Sequence, residues 1–228
     1  MQVYKFGGTS VGKPERMHSV ADLITRDNHS KIVVLSALSG TTNNLVSIGE
    51  SLAADRKEEA LEKITLLKSH YDAFIENLLS SDEKRNEAKA VIHEHFEFLK
   101  ITLKISFNEA LNRDILAQGE LMSTKLFTIM LQERNIPAQL LPALEFMKTN
   151  EDHEPDLEFI SEKLGAILEK HRNQGLFVTQ GYICKNHKGE IDNLQRGGSD
   201  YTASLIGAAI KASEVQIWTD IDGMHNND

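Results

Sequence analysis

Short apolar runs alternate along the chain with longer stretches of helical periodicity. Strand-like runs occupy residues 3–6, 32–35, 139–141, 175–180 and 215–218, and a hairpin is predicted from 182–184 and 191–193. Helical stretches lie between them, near residues 14–27, 45–54, 113–135, 156–172 and 200–211. The run at 32–35 has no polar interruption, so both its faces should be buried. This alternation predicts an α/β fold with a mostly parallel sheet covered on both faces.

Residues 55–104 break this alternation, because they are charged and helix-forming and carry no strand signal. Apolar residues recur there at helical spacing, as in Leu61, Ile64 and Leu67. We therefore expect an αα-hairpin inserted at about 55–105 between two α/β units. The whole of residues 1–228 is predicted to form one domain.

The amino-acid composition argues against some classes of binding partner. The 228 residues carry 25 basic and 34 acidic side chains, a net charge of −9, which argues against nucleic acid or an anionic membrane as the main partner. Any phosphate site must therefore gather positive charge locally. The lone cysteine, Cys184, fits a reducing, cytoplasmic setting. The nine histidines show no metal-ligand spacing, and His93 and His95 are interpreted as surface residues.

Two glycine-containing turns are candidate anion sites. The first, KFGGTS at residues 5–10, places Lys5 at a strand end before Gly7 and Gly8, whose backbone amides can approach an anion closely. It matches neither the Walker A loop nor the dinucleotide-binding pattern, and the alternative is a tight turn with a surface lysine. The second, RGGSD at 196–200, precedes a helix, where Arg196 could hold a carboxylate; the alternative is that Asp200 only favours the helix start.

Two further segments have a functional and a structural interpretation. Gly119 lies inside a helical stretch, where glycine costs about 1 kcal/mol against alanine, so close backbone packing is expected there. The neighbouring Glu120 could bind an ammonium group, or could be an exposed helical glutamate. Residues 219–223, TDIDG, follow the last strand and could contact a nucleotide or form a polar turn.

Taken in order, these segments closely resemble the aspartate kinases of the amino acid kinase superfamily. The resemblance spans residues 1–228 and rests on the segments at 5–11, 33–37, 119–120, 197–203 and 218–223. It implies a three-layer α/β/α sandwich. It also implies an enzyme that transfers the γ-phosphoryl group of ATP to the β-carboxylate of L-aspartate, giving 4-phospho-L-aspartate, the first step of lysine, threonine and methionine biosynthesis.

The resemblance also implies roles for individual residues. Those matching the catalytic and phosphate-binding positions are Lys5, Gly7, Gly8 and Asp200, with Asp200 ordering lysines and the Mg²⁺–phosphate cluster. Those matching the amino-acid pocket are Ser36, Thr42, Glu120, Arg196 and Ser199. By charge, Glu120 should meet the α-ammonium group and Arg196 the α-carboxylate. Those matching the nucleotide contacts are Thr219, Asp220 and His225, and Mg²⁺ is expected to be held mainly through the ATP phosphates.

The implied reaction needs no general base from the protein. The nucleophile is a carboxylate with a reference pKa of about 4, so it is ionised at neutral pH and no general base is required. The obstacle is to bring two anions together, and the remedy is alignment and positive charge.

The sequence departs from the family at several points. His225 stands where a tyrosine is expected, residues 192–195 read DNLQ instead of Thr-Thr-Leu-Gly, and Cys184 replaces a small residue. The family continues beyond the position of Asp228 with more kinase domain and regulatory domains. We therefore expect a fragment that folds with an incomplete ATP pocket and that forms homo-oligomers when full-length. Two alternatives remain: a sister kinase for glutamate, acetylglutamate, carbamate or UMP, and a non-catalytic binding subunit.

Overall fold

The computed structural model describes residues 1–194 and 197–219. The strands in this part of the chain are β1 (Gln2–Phe6), β2 (Lys31–Leu35), β3 (Gln139–Leu141), β4 (Leu176–Gln180), β5 (Ile183–Lys185), β6 (Ile191–Asn193) and β7 (Glu214–Trp218). The helices are α1 (Gly8–Val11), α2 (Pro14–Ile24), α3 (Thr41–Ala53), α4 (Lys57–Leu78), α5 (Asp82–Thr102), α6 (Glu109–Glu133), α7 (Ala143–Phe146), α8 (Leu157–Lys170) and α9 (Gly198–Ala209).

Five of the strands form one parallel sheet in the order β3-β4-β2-β1-β7, and β5 and β6 form the predicted antiparallel hairpin. All five residues of β2 are buried, as its apolar sequence predicted. Phe6 is in register with Leu35 on one side and Trp218 on the other. The carboxyl ends of the central strands therefore lie side by side, where parallel sheets bind ligands.

Side chains of alternate strand residues pack into two hydrophobic cores, one on each face of the sheet. Val33 and Leu35 pack into a core built with α2–α6, whereas Ile32 and Val34 pack into a second core built with α7–α9. This is the period-2 pattern of a strand covered on both faces. The predicted three-layer α/β/α sandwich with a mostly parallel sheet is confirmed.

The predicted helical hairpin is formed by α4 and α5. The Tyr71 ring is fully buried and meets Phe96 edge-on, with ring centroids 5.7 Å apart. The Tyr71 hydroxyl lies 3.1 Å from Oγ1 of Thr41, the first residue of α3. The hairpin therefore shares the core of the α/β unit and is not a separate appendage.

Several sequence-based boundaries and one burial prediction were wrong. The turn after β1 contains the short helix α1, and α6 begins at Glu109, where the Asn108 side chain caps it by accepting from the Leu111 amide at 2.8 Å. His95 is buried, although His93 is exposed as expected. The reason is that His95 lies on the apolar face of α5 that packs against α6. No helix among the described residues is both long and apolar enough to cross a bilayer.

Candidate active site

A cavity of about 430 Å³ opens at the carboxyl edge of the sheet. Its lining combines the end of β1, the turns after β2 and β4, the starts of α3 and α9, and the middle of α6. The lining residues are Lys5, Ser36, Thr42, Glu120, Tyr182, Gly197, Gly198, Ser199 and Asp200. Six of the residues predicted from sequence thus meet in one place, although they span almost 200 positions.

Lys5 and Asp200 form an ion pair across this cavity. The Lys5 ammonium, largely buried near the end of β1, lies 2.7 Å from Oδ1 of the half-exposed Asp200 in the first turn of α9. A side chain on Gly7 would begin 3.3 Å from the Lys5 ammonium, and one on Gly8 would begin 2.9 Å from the Ala37 carbonyl oxygen. Gly7 therefore lets the backbone lie directly beside the positive charge, as an anion-binding turn requires, and Gly8 lets it lie against the turn after β2.

Glu120 places a buried carboxylate in the wall of the cavity. Its side chain is 3 % exposed; Oε1 accepts a hydrogen bond from the Ala37 amide at 3.2 Å, and Oε2 is buried without a hydrogen-bond partner among the described residues. Burial raises the pKa of this carboxyl to about 7. The alternative of an exposed helical glutamate is wrong. A buried carboxylate with one unsatisfied oxygen facing a cavity is suited to bind a cation.

Gly119 explains how Glu120 reaches this position. A Cβ atom at Gly119 would lie 2.8 Å from Cβ of Ala37 and 3.4 Å from Cδ1 of Leu45. The glycine therefore allows α6 to pack directly against the turn after β2, which confirms the close backbone packing expected from the sequence. This contact brings the Glu120 carboxylate within reach of the Ala37 amide.

Serine hydroxyls connect the turn after β2 to the start of α9. Ser36 Oγ donates to Ser199 Oγ at 3.0 Å, and the Ser36 carbonyl accepts from Ser123 Oγ at 2.8 Å. Ser199 also packs against Gly181, because a Cβ atom added at Gly181 would lie 2.5 Å from Oγ of Ser199. These contacts fix the hydroxyl groups beside Glu120 and Lys5.

Tyr182 is a cavity residue that sequence reasoning missed. Its backbone is left-handed, with φ of 67°, and its amide donates to Thr202 Oγ1 at 3.0 Å. Its ring fits only because Gly198 has no side chain, since a Cβ there would lie 2.7 Å from Cδ2 of Tyr182. Burial, reinforced by the charge of Glu120, raises the pKa of the phenol. Its place directly after the β4 strand was the available signal, because ligands bind at strand carboxyl ends.

Among the described residues, Thr219 lies apart from this cavity. Thr219 lines a separate cavity of about 220 Å³ on the β7 side, together with Phe6, Ser10 and Trp218. Arg196, Asp220 and His225 lie outside the described residues. Within residues 1–194 and 197–219, no group of three or more His, Cys, Asp or Glu side chains is arranged to hold a metal ion.

Several known proteins are similar to this chain in sequence. The model of the amino acid kinase family matches residues 1–228. Lysine-sensitive aspartokinase 3 of Escherichia coli is 38 % identical over 229 residues, covering 99 % of this chain and 50 % of the relative. Aspartokinase 1 of Arabidopsis thaliana chloroplasts is 32 % identical, covering 97 % of this chain and 40 % of the relative.

A solved aspartokinase structure is similar to this chain in fold as well as in sequence. The E. coli aspartokinase III complex with aspartate and ADP has a TM-score of 0.86 and 37 % identity, over 98 % of this chain and 50 % of that one. This chain therefore spans about half the length of the relatives it matches, or less. Because the family model matches the whole sequence, the chain belongs to the amino acid kinase family.

Proposed function

We propose that this chain is the catalytic lobe of an aspartate kinase, which transfers the γ-phosphoryl group of ATP to the β-carboxylate of L-aspartate and gives 4-phospho-L-aspartate. The observation that carries the proposal is the buried Glu120 carboxylate, whose Oε2 has no hydrogen-bond partner among the described residues and which shares a cavity with Lys5 and Asp200. The aspartokinase relatives and the solved relative bound to aspartate and ADP support it.

The amino-acid substrate is assigned to the Glu120 side of the cavity. Its α-ammonium group would pair with Oε2 of Glu120, which removes the cost of leaving that oxygen buried and unsatisfied. The hydroxyl groups of Ser36, Thr42 and Ser199 line the same space. The assignment of the α-carboxylate to Arg196 rests on charge and on the family resemblance.

The phosphates are assigned to the Lys5 side. The Lys5 ammonium and the backbone beside Gly7 and Gly8 supply local positive charge, and the ion pair with Asp200 holds the ammonium in place. Mg²⁺ carried by ATP would neutralise phosphoryl charge, and the Asp200 carboxylate would help to hold it. The nucleotide contacts of Thr219, Asp220 and His225 remain part of this proposal.

The transfer needs alignment more than proton chemistry. A β-carboxylate oxygen of aspartate forms a bond to the γ-phosphorus, and the bond from that phosphorus to the bridging oxygen breaks, so ADP leaves. The carboxylate is already ionised, so the protein's contribution is the positive charge of Lys5 and the fixed orientation of both substrates. A cytoplasmic location and homo-oligomerisation belong to the same proposal.

Measuring ADP release by the complete polypeptide with Mg-ATP tests the proposal. L-aspartate, L-glutamate, N-acetylglutamate and UMP are compared as acceptors. We expect turnover with aspartate that falls at least 100-fold in Asp200→Ala. Without Asp200, the Lys5 ammonium is no longer held where negative charge develops on the transferred phosphoryl group. Asp82→Ala is the matched control, since Asp82 is likewise an acidic residue in the first turn of a helix.

The outcomes separate the alternatives. Activity on another acceptor but not on aspartate would keep the family and overturn the substrate. Equal effects of Asp200→Ala and Asp82→Ala would mean that Asp200 only stabilises the start of α9 and has no catalytic role. Aspartate binding without ADP formation from any acceptor would indicate a non-catalytic binding subunit.

A further inference from the structure

A second cavity lies away from the active site, between α5, α6 and β3. Its volume is about 320 Å³, and its lining includes Val91, Glu94, Lys125, Thr128, Gln139 and Leu140. Lys125 follows Glu120 on α6 by five residues, but the two side chains line different cavities. The proposed kinase reaction uses no group in this second cavity.

Lys125 belongs to a chain of three hydrogen-bonded side chains. Its Nζ lies 2.9 Å from Nε2 of the buried His95, whose Nδ1 lies 2.6 Å from Oε1 of Gln118. An ammonium group can only donate, so Nε2 of His95 accepts and the ring proton is on Nδ1, which donates to Gln118. Gln118 is itself oriented, because its Nε2 donates to the Asp114 carbonyl at 2.9 Å.

This arrangement matches that of an activated nucleophile, in which a nucleophile contacts a base and a third group orients the base. Burial lowers the pKa of Lys125, which raises the fraction of neutral amine, while the Glu94 carboxylate opposes that shift. Burial also lowers the pKa of His95, so the ring is neutral and able to accept a proton. Glu87, from the same helix as Glu94, is the other carboxylate lining the cavity.

We propose that Lys125 is a site of imine formation with small uncharged carbonyl compounds, with His95 as the proton carrier. The Lys125 nitrogen bonds to the carbonyl carbon while the C=O π electrons move to oxygen. His95 takes a proton from nitrogen and returns it to oxygen, giving a carbinolamine. Loss of water then forms the C=N bond, so no oxidant or reductant is needed.

The lining of the cavity selects the class of reagent. Lys84 pairs with Glu87 at 2.6 Å, so Glu94 is the carboxylate that disfavours anionic electrophiles such as acyl phosphates. Val91 and Leu140 provide apolar contact for a short alkyl chain. An uncharged short-chain aldehyde fits both features. This inference is independent of the kinase proposal, because it uses different residues and a different measurement.

Reductive trapping tests the proposal. The chain is treated with propanal and cyanoborohydride, and propylation of each lysine is followed by peptide mass spectrometry. Lys100 is the internal reference, because it lies on α5 and pairs with Glu97 at 2.8 Å on the surface. We expect Lys125 to react at least fivefold faster than Lys100 near pH 7. The ratio should fall in His95→Gln, which keeps Lys125 desolvated but removes the proton carrier.

The wild-type chain gives a second test that does not depend on the variant folding. The reaction of Lys125 should reach its plateau at lower pH than that of Lys100, as expected for a desolvated amine. A wild-type ratio near one, coincident pH profiles, or a high ratio unchanged in His95→Gln would each overturn the proposal. A purely structural tie between α5 and α6 predicts that the ratio is the same in the wild-type chain and in His95→Gln.

Discussion

Glu120 links substrate binding to pH. The free carboxyl has a pKa of about 7, whereas pairing with an ammonium group favours its ionised form. We therefore predict that aspartate binding at pH 7 releases roughly half a proton, and that affinity falls about tenfold per pH unit below pH 7. Calorimetry in buffers of different ionisation enthalpy measures both quantities. Proton release that persists in Glu120→Gln would assign the effect to another group.

The same residue should reduce the stability of the ligand-free protein. Its folded-state pKa of about 7 exceeds the ordinary 4.5, so between these values the folded state binds more protons than the unfolded state. The free energy of unfolding is then lost as pH rises from 4.5 to 7, by about 3 kcal/mol. Glu120→Gln keeps the acceptor for the Ala37 amide and should remove this loss. Urea unfolding at pH 5 and pH 8 checks it, and equal pH dependence of both proteins would contradict it.

At the scale of elements, two helical glycines should respond oppositely to alanine. Gly119→Ala should destabilise the protein by about 1–3 kcal/mol, because the new methyl group overlaps Ala37. Gly165→Ala, exposed in α8 with nothing within 4 Å, should stabilise it by about 0.5–1 kcal/mol. Thermal and urea unfolding measure both. Stabilisation by both substitutions would show that α6 does not need the close approach.

The order of elements could be predicted from sequence because periodicity and turn residues are local signals. The apolar run of β2 and the charged hairpin of α4 and α5 are examples. The short helix α1 could not be predicted, since one turn of helix carries no periodic signal. The burial of His95 depends on which face of α5 another element covers, which single residues do not reveal. Lys5, Glu120 and Asp200 were found because each lies within two residues of a glycine, in a segment that resembles a family motif.

At the scale of the whole molecule, the helical hairpin and the sheet should unfold together, because one continuous core contains both. Phe96→Ala in α5 should cost about 3–5 kcal/mol, since the ring is fully buried against Tyr71. Hydrogen exchange should show amide protection falling in β2 as well as in α5. Leu66→Ala is the control, because Leu66 is 65 % exposed on the same hairpin. Loss of protection confined to α4 and α5 would mean that the hairpin opens alone.

The pairing of β1 with β7 has a consequence for synthesis on the ribosome. Gln2 pairs with Glu214, 212 positions later, and at ordinary elongation rates this separation takes about 10 to 40 seconds to translate. During that time β1 can pair with β2, but its other edge stays open, as a template for aggregation or a binding segment for chaperones. The Lys5–Asp200 contact forms after almost as long a delay, so the nascent chain acquires its candidate phosphate site only near the end of these residues' translation.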